Sequence, residues 1–325
     1  MAKWLVTGSH GFIGTNVVRH LIEKGHQVRC MDNFSTGNRK NLEGIVNRGD
    51  VFEGDIVSLQ DCYRAMGYTG QRKSLDTDYV IHLAALGSVP RSIGDPATSN
   101  RVNVEGTLNI LTAARHANVK GVAIASSSSV YGGEISNGYA QVETDRPSPQ
   151  SPYAVSKLAG EYYARTFARL YHLPVVSLRF FNVFGPYQRQ YGDYCAVVPI
   201  WFDRLIHGAP VEVHGDGLQS RDFTYVDDVA RACIAAAIQA NVWPGEVFNI
   251  ARGETHSLLN LLVEIKKLTG SDLPNQYTDA RPGDARVSRA DITAAVRLLG
   301  WRPRVGFKEG LRRTYEFYME REIPY

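Results

Sequence analysis

The chain has 325 residues, 44% of them hydrophobic, and carries 36 basic and 33 acidic residues for a net charge of +3. That length can bury a large core and suits a nucleotide-binding domain carrying a smaller substrate domain. The small charge makes no case for nucleic acid or a membrane surface as partner, and no apolar run reaches the ~20 residues that span a bilayer.

Trp4-Leu5-Val6 predicts a buried strand so near the start that no room is left for a leader peptide. Thr7-Gly8-Ser9-His10-Gly11-Phe12-Ile13-Gly14 follows, and a helical pattern runs from Ile13 to Lys24 and ends at Gly25. The glycines of Gly8-x-x-Gly11-x-x-Gly14 permit a tight turn, close approach of a pyrophosphate and close packing of helix on strand. The helix N-terminus adds amide donors and a favourable dipole. The next strand, Val28 to Met31, runs into Asp32. A carboxylate there accepts the hydroxyls of an adenosine ribose and repels a 2′-phosphate, which favours NAD. Arg39 and Lys40 nearby keep NADP open. Asp55 and Ile56, after a further short strand, suit the edge and face of adenine.

A helix over Ser58–Met66, strands at Tyr79–Ile81 and Val122–Ala125, and a helix over Asn100–Ala117 continue the alternation. A helix over Tyr153–Tyr171 and a strand over Val175–Phe180 complete it. The pattern predicts a Rossmann-like, doubly wound parallel sheet over residues 1–180. The Val122 strand delivers Ser126, Ser127, Ser128 and Ser129 to the C-terminal edge of the sheet, where ligands bind in such folds. Tyr153 and Lys157 lie at i and i+4, on one helix face. A phenol of pKa ~10 is a poor base at neutral pH. The lysine charge, with that of an oxidised nicotinamide, favours the phenolate.

Beyond residue 181 the alternation breaks. Gly, Pro, Tyr and polar residues crowd Gly185 to Asp193, as in a substrate-contacting loop, and helices are predicted over Val226–Gln239 and Leu258–Leu268. Residues 181–325 are expected to form a smaller, mixed α/β substrate domain, with some segments returning to the sheet. The cysteines, Cys30, Cys62, Cys195 and Cys233, show no metal-ligand spacing. Reduced thiols of a cytoplasmic protein are expected, with no metal.

Taken together, these motifs resemble the extended short-chain dehydrogenase/reductases, specifically the NAD-dependent sugar-nucleotide epimerase/dehydratase group. The resemblance covers essentially the whole length. It rests on Thr7 to Gly14, Asp32-Asn33, Gly54-Asp55-Ile56, His82-Leu83-Ala84-Ala85, Asn103, Ser126 to Gly132, Tyr153 to Lys157 and Arg179 to Pro186. Within the group the chain is most similar to UDP-hexose 4-epimerases, and Ala84 to Ser92 resembles those acting on N-acetylated UDP-sugars.

The resemblance implies an NAD site built from Gly8, Gly11, Phe12, Ile13, Gly14, Asp32, Asn33, Asp55, Ile56, Leu83, Ala84, Ala85, Asn103, Tyr153, Lys157 and Phe180. It implies that Tyr153 takes the proton of the sugar 4-hydroxyl while hydride passes from C4 to NAD⁺. Lys157 would hold the nicotinamide ribose, and Ser127 would hydrogen-bond O4 and could relay its proton. Ser88, Ser128, Ser129, Asn182, Val198 and Val213 would meet the substrate. Arg221 and Arg281 would bind its diphosphate, and Asp284 its uridine ribose.

Related 4,6-dehydratases carry Asp and Glu where this chain has Ser128 and Ser129, and decarboxylating relatives carry Glu at the second of these. What remains is oxidation at C4, rotation of the 4-keto sugar and return of the hydride. Ser288 stands where a bulky tyrosine would restrict relatives to plain hexoses, which points to UDP-GlcNAc/UDP-GalNAc, with UDP-Glc/UDP-Gal also within reach. Arg189 resembles an arginine of UDP-glucuronate 4-epimerases, which makes UDP-glucuronate the alternative substrate. A net sugar-nucleotide dehydrogenase/reductase and a dinucleotide-sensing module are the alternatives from other classes. The helices Asn100–Ala117 and Tyr153–Tyr171 resemble the family's homodimer pair. Leu108, Leu111, Leu158, Tyr162 and Phe167 fit an interface or an intramolecular face equally well.

Overall fold

The computed structural model describes residues 1–68, 76–133, 139–190, 195–280 and 285–320. A seven-stranded sheet contains β1 (Lys3–Thr7), β2 (Gln27–Asp32), β3 (Val51–Glu53), β4 (Tyr79–His82), β5 (Gly121–Ser127), β6 (Val175–Phe180) and a last strand, Val247–Ile250. The order is Val247–Ile250, β6, β5, β4, β1, β2, β3, and every neighbouring pair is parallel. The expected doubly wound parallel sheet is therefore present. Its strand order reverses between β1 and β4, which opens a crevice at their C-terminal ends.

Both faces are covered, which is why the strands read as continuous apolar runs. Alternation along β1 sends Trp4 and Val6 to one face, with Val18, Leu21 and the helix Val226–Gln239, and Leu5 to the other, with Ile110, Leu111 and Phe167. The crossover helices are α1 (Phe12–Glu23), α2 (Leu59–Ala65), α3 (Val89–Gly94), α4 (Pro96–Asn100), α5 (Gly106–Ala117) and α6 (Pro152–Tyr171). The helix expected over Asn100–Ala117 begins earlier, at Pro96, capped by Asp95, and is broken by a π-helical turn at Arg101–Glu105. Such turns redirect side chains, and here Asn103 is buried. Leu111 and Phe167 belong to the intramolecular core, whereas Tyr162 is 53% exposed.

The later part of the chain builds small paired strands. Val183–Phe184 pairs with Thr224–Tyr225, and Glu212–His214 pairs with Gln276–Thr278. Ser220–Arg221 lies between His256–Ser257 and Val287–Ser288. Its own core gathers Phe184, Trp201, Phe202, Phe223, Leu261, Phe307 and Leu311. Among the described residues no His/Cys/Asp/Glu group could hold a metal, and no helix is long and apolar enough to cross a membrane.

One buried ion pair ties α6 to the sheet. Arg179 on β6 donates from Nε and Nη2 to the two Glu161 oxygens at 2.9 and 2.8 Å, both side chains being 3% exposed. Ser126 Oγ donates to Glu161 Oε1 at 2.5 Å, and the guanidinium lies 4.6 Å from the centre of the Tyr131 ring. Removing one partner leaves a buried charge uncompensated. Glu161→Ala is therefore expected to destabilise the fold by about 3–5 kcal/mol, read from the urea midpoint of the purified variant.

Candidate active site

The turn after β1 is shaped by close approach. Gly8 has φ +65°, and a Cβ there would sit 2.7 Å from the Ala84 nitrogen; at Gly14 a Cβ would sit 2.0 Å from the Gly8 carbonyl oxygen. Side chains at either position would fill the cradle. Gly11 caps α1 with no side chain to occupy the helix amides, so an anion can take them. Asp32, at the end of β2, is 7% exposed and accepts from the backbone N–H of His10 at 2.9 Å and of Phe34 at 2.8 Å. Those bonds orient the carboxylate toward the crevice wall. Arg39 is engaged elsewhere: it stacks 3.5 Å over the Phe34 ring and pairs with Glu53 at 2.6 Å. Its charge is thus partly matched before any 2′-phosphate could claim it, in keeping with NAD over NADP.

A cavity of about 430 Å³ follows the strand ends. Its wall includes Gly8, Gly11, Phe12, Ile13, Gly14, Asp32, Asn33, Ile56, Leu83, Ala84, Ala85, Tyr153, Lys157 and Phe180. The glycine cradle, the carboxylate at the end of β2 and a cavity of this size fit a dinucleotide. Two expected residues stand behind the wall. Asp55 accepts from Val57 N and Asn33 Nδ2 at 2.9 and 3.1 Å, holding the adenine-side loop. Asn103 is 2% exposed and holds both backbone groups of Leu86, accepting from its N–H at 2.8 Å and donating to its carbonyl at 3.1 Å.

The serine run divides. Ser126 and Ser127 both line the cavity, but the Ser126 hydroxyl is given to Glu161, whereas Ser127 hydrogen-bonds Tyr153. Ser129 Oγ donates to Ser127 Oγ at 3.0 Å; neither Ser128 nor Ser129 lines the cavity. Lys157 Nζ donates to the Ala125 carbonyl at 3.0 Å and lies 5.9 Å from the centre of the Tyr153 ring. Burial lowers the Lys157 pKa to about 8. Burial also raises that of Tyr153, against a smaller lowering by the Ser127 hydrogen bond. The expectation joined the lysine charge to that of an oxidised nicotinamide, and burial is the larger influence on the phenol here.

A second cavity, about 380 Å³, joins the first at Asn182, Val183 and Gln188. Val198 and Arg221 line it, along with Trp201, Glu212, His214 and Phe223. Ser288 is the register partner of Arg221. Val213 is fully buried in the core beneath this cavity rather than in its wall. Ser88 is half-buried and caps α3, accepting from Arg91 N at 3.2 Å. Arg189 is exposed and lines a third cavity with His10, Phe34 and Lys40, which meets the first at Gly11, Phe12 and Gln188 and the second at Gln188 and Ala196. Arg281 and Asp284 lie outside the described residues. Gln188, Ser35 and Thr36 line the first cavity without having been singled out in the sequence; the turn-rich stretches around them were the available signal.

Comparison with known proteins gives a match to the NAD dependent epimerase/dehydratase family over residues 4–251. The chain is similar to a UDP-glucose 4-epimerase of Mycolicibacterium smegmatis, at 37% identity over 97% of this chain and 98% of the relative. It is similar to a UDP-glucuronate 4-epimerase of Thermodesulfobacterium geofontis, at 31% identity over 98% and 97%. Among solved structures, the UDP-N-acetylglucosamine 4-epimerase of Methanobrevibacter ruminantium, in complex with UDP-N-acetylmuramic acid, superposes with a TM-score of 0.89 at 35% identity, covering 98% of each chain.

Lysine held at about 8 in the folded chain, against an unfolded value near 10.5, binds fewer protons folded than unfolded between those values. Its contribution to stability therefore rises with pH through that window and is unfavourable below it. Lys157→Met is expected to stabilise the NAD-stripped protein at pH 7 by roughly 0.5–2 kcal/mol while abolishing turnover. Paired thermal melts and activity assays of the variant and its parent check both signs.

Proposed function

This chain belongs to the NAD dependent epimerase/dehydratase family, takes NAD as its cofactor and, we propose, inverts C4 of a UDP-hexose. The observation that carries this reading is the placement of Ser127, Tyr153 and Lys157 in the wall of the cavity over the glycine turn, which opens, past Asn182 and Gln188, into a second one lined by Arg221.

Bound NAD supplies the acceptor, and afterwards the donor, of a hydride at sugar C4. Ser127, steadied by Ser129, bonds O4 and aligns the hydroxyl. Tyr153 removes the hydroxyl proton and returns one once the 4-keto sugar has turned its other face. Lys157 stabilises the phenolate by its charge. Arg221 offers a planar fork to the diphosphate. Ser128 and Ser129 are poor acids, which disfavours elimination at C6.

The relatives named above divide among three sugars, so the choice rests on residues of this chain. Ser288, small and in register with Arg221, supports an N-acetylated hexose. Arg189 lines a third cavity that shares Gln188 with both others, so a carboxylate at C6 stands as the alternative. The same reading takes a second copy of the chain as partner across the exposed Val155, Tyr162 and Leu170 of α6, a point sedimentation equilibrium decides.

Purified protein assayed without added NAD against UDP-GlcNAc, UDP-Glc and UDP-GlcA should convert UDP-GlcNAc to UDP-GalNAc. Conversion of UDP-glucose without UDP-GlcNAc would remove the roomy-pocket argument, and conversion of UDP-GlcA alone would transfer specificity to Arg189. A reaction needing stoichiometric NAD would replace epimerisation with net dehydrogenation.

A further inference from the structure

The proton-transfer tyrosine sits second in its helix, where backbone donors have no intrahelical acceptor. The first helical residue is Pro152, with no N–H to satisfy. The cap, Ser151, accepts through its side chain from Ala154 N at 3.2 Å and through its carbonyl from Val155 N at 2.9 Å. That leaves the Tyr153 N–H to be satisfied from outside the helix. It donates at 3.0 Å to Ser92 Oγ on α3, and Ser92 in turn donates to Val89 O at 2.7 Å. Ser92 is fully buried.

The Tyr153 carbonyl is held as well. Ser156 Oγ donates to it at 2.7 Å and accepts from Asn103 Nδ2 at 3.0 Å. Asn103 uses its remaining groups on the N–H and C=O of Leu86, in the cavity wall. Donor counts close: one hydroxyl proton each for Ser92 and Ser156, and two amide protons for Asn103. Ser156 and Asn103 are each 2% exposed, so water has little access to replace a lost bond.

We infer that Ser92 and Ser156 are positioning residues which clamp the Tyr153 peptide from both sides and lock the phenol to the cavity wall at Leu86. The inference rests on the role given to Tyr153 under Proposed function. Ser92 acts by fixing where the phenol meets Ser127 and the sugar O4, since misplacement by about 1 Å can cost roughly a hundred-fold in rate.

Ser92→Ala and Ser156→Ala test it on the NAD-loaded enzyme. Amide exchange in the peptide around Tyr153 should accelerate in both variants while the rest of the sheet stays protected. Turnover should fall by roughly 10- to 100-fold in kcat with KM changed less than about two-fold, and the pH midpoint of kcat should move. A kcat within about two-fold of the parent in both variants would overturn the clamp. So would a loss matched by a smaller folded fraction with an unmoved pH profile. Should one variant fail to fold, the other carries the same comparison. If the parent enzyme epimerises no UDP-sugar, the 4-epimerase reading falls by itself. Exchange at Tyr153 still decides the clamp: unchanged exchange in the folded variants would refute it.

Discussion

A lysine ammonium held inside a cleft is the constraint around which the rest of this structure is arranged. Lys157 has the Ala125 carbonyl at 3.0 Å, and burial pulls its pKa down to about 8. A position that costly is stable only if the surrounding chain is rigid. The Glu161–Arg179 pair supplies part of that rigidity by joining α6 to β6, one turn beyond Lys157. β5 contributes the carbonyl at Ala125, the Glu161-bound Ser126 and the cavity-facing Ser127 in consecutive residues. The two hydroxyls find different partners, Glu161 for Ser126 and Tyr153 for Ser127, because neighbouring side chains leave opposite faces of a strand.

The same economy shapes the cofactor side. The order of strands reverses between β1 and β4, and the glycine turn is placed in that gap. Backbone approaches backbone so closely there that a methyl group at Gly14 would overlap Gly8. Asp32 is held by two backbone amides and the nearby Arg39 is paired with Glu53, so both side chains have fixed partners at this end of the cavity. Burial raises the pKa of the Tyr153 phenol, and the Ser127 hydrogen bond offsets part of that rise.

Much of this was legible in the sequence where one short-range rule governs. The buried strands declared themselves as apolar runs, and Val226–Gln239 has the bounds its periodicity predicted. The short helices α3 and α4 are harder to see, because Pro90 and Pro96 look like breaks until their caps, Ser88 and Asp95, are recognised. The roles of individual polar residues depended on longer-range register. Which of Ser126 and Ser127 turns its hydroxyl to Glu161 and which to Tyr153 follows from the pleat, and whether Asn103 meets a cofactor or a backbone follows from a π-helical turn no composition signals. Val213 reads as a wall residue but is core, since its strand pairs with Gln276–Thr278 and turns that side chain inward.

The central claim is that oxidation and reduction occur at one carbon within one bound complex. The direct measurement is turnover of a UDP-hexose carrying deuterium at C4, in ordinary water and with excess unlabelled NAD and NADH, followed by mass analysis of the epimer. Retention of deuterium at C4 of the product is the predicted result. Deuterium appearing in free NADH, or washed out to solvent, would contradict it.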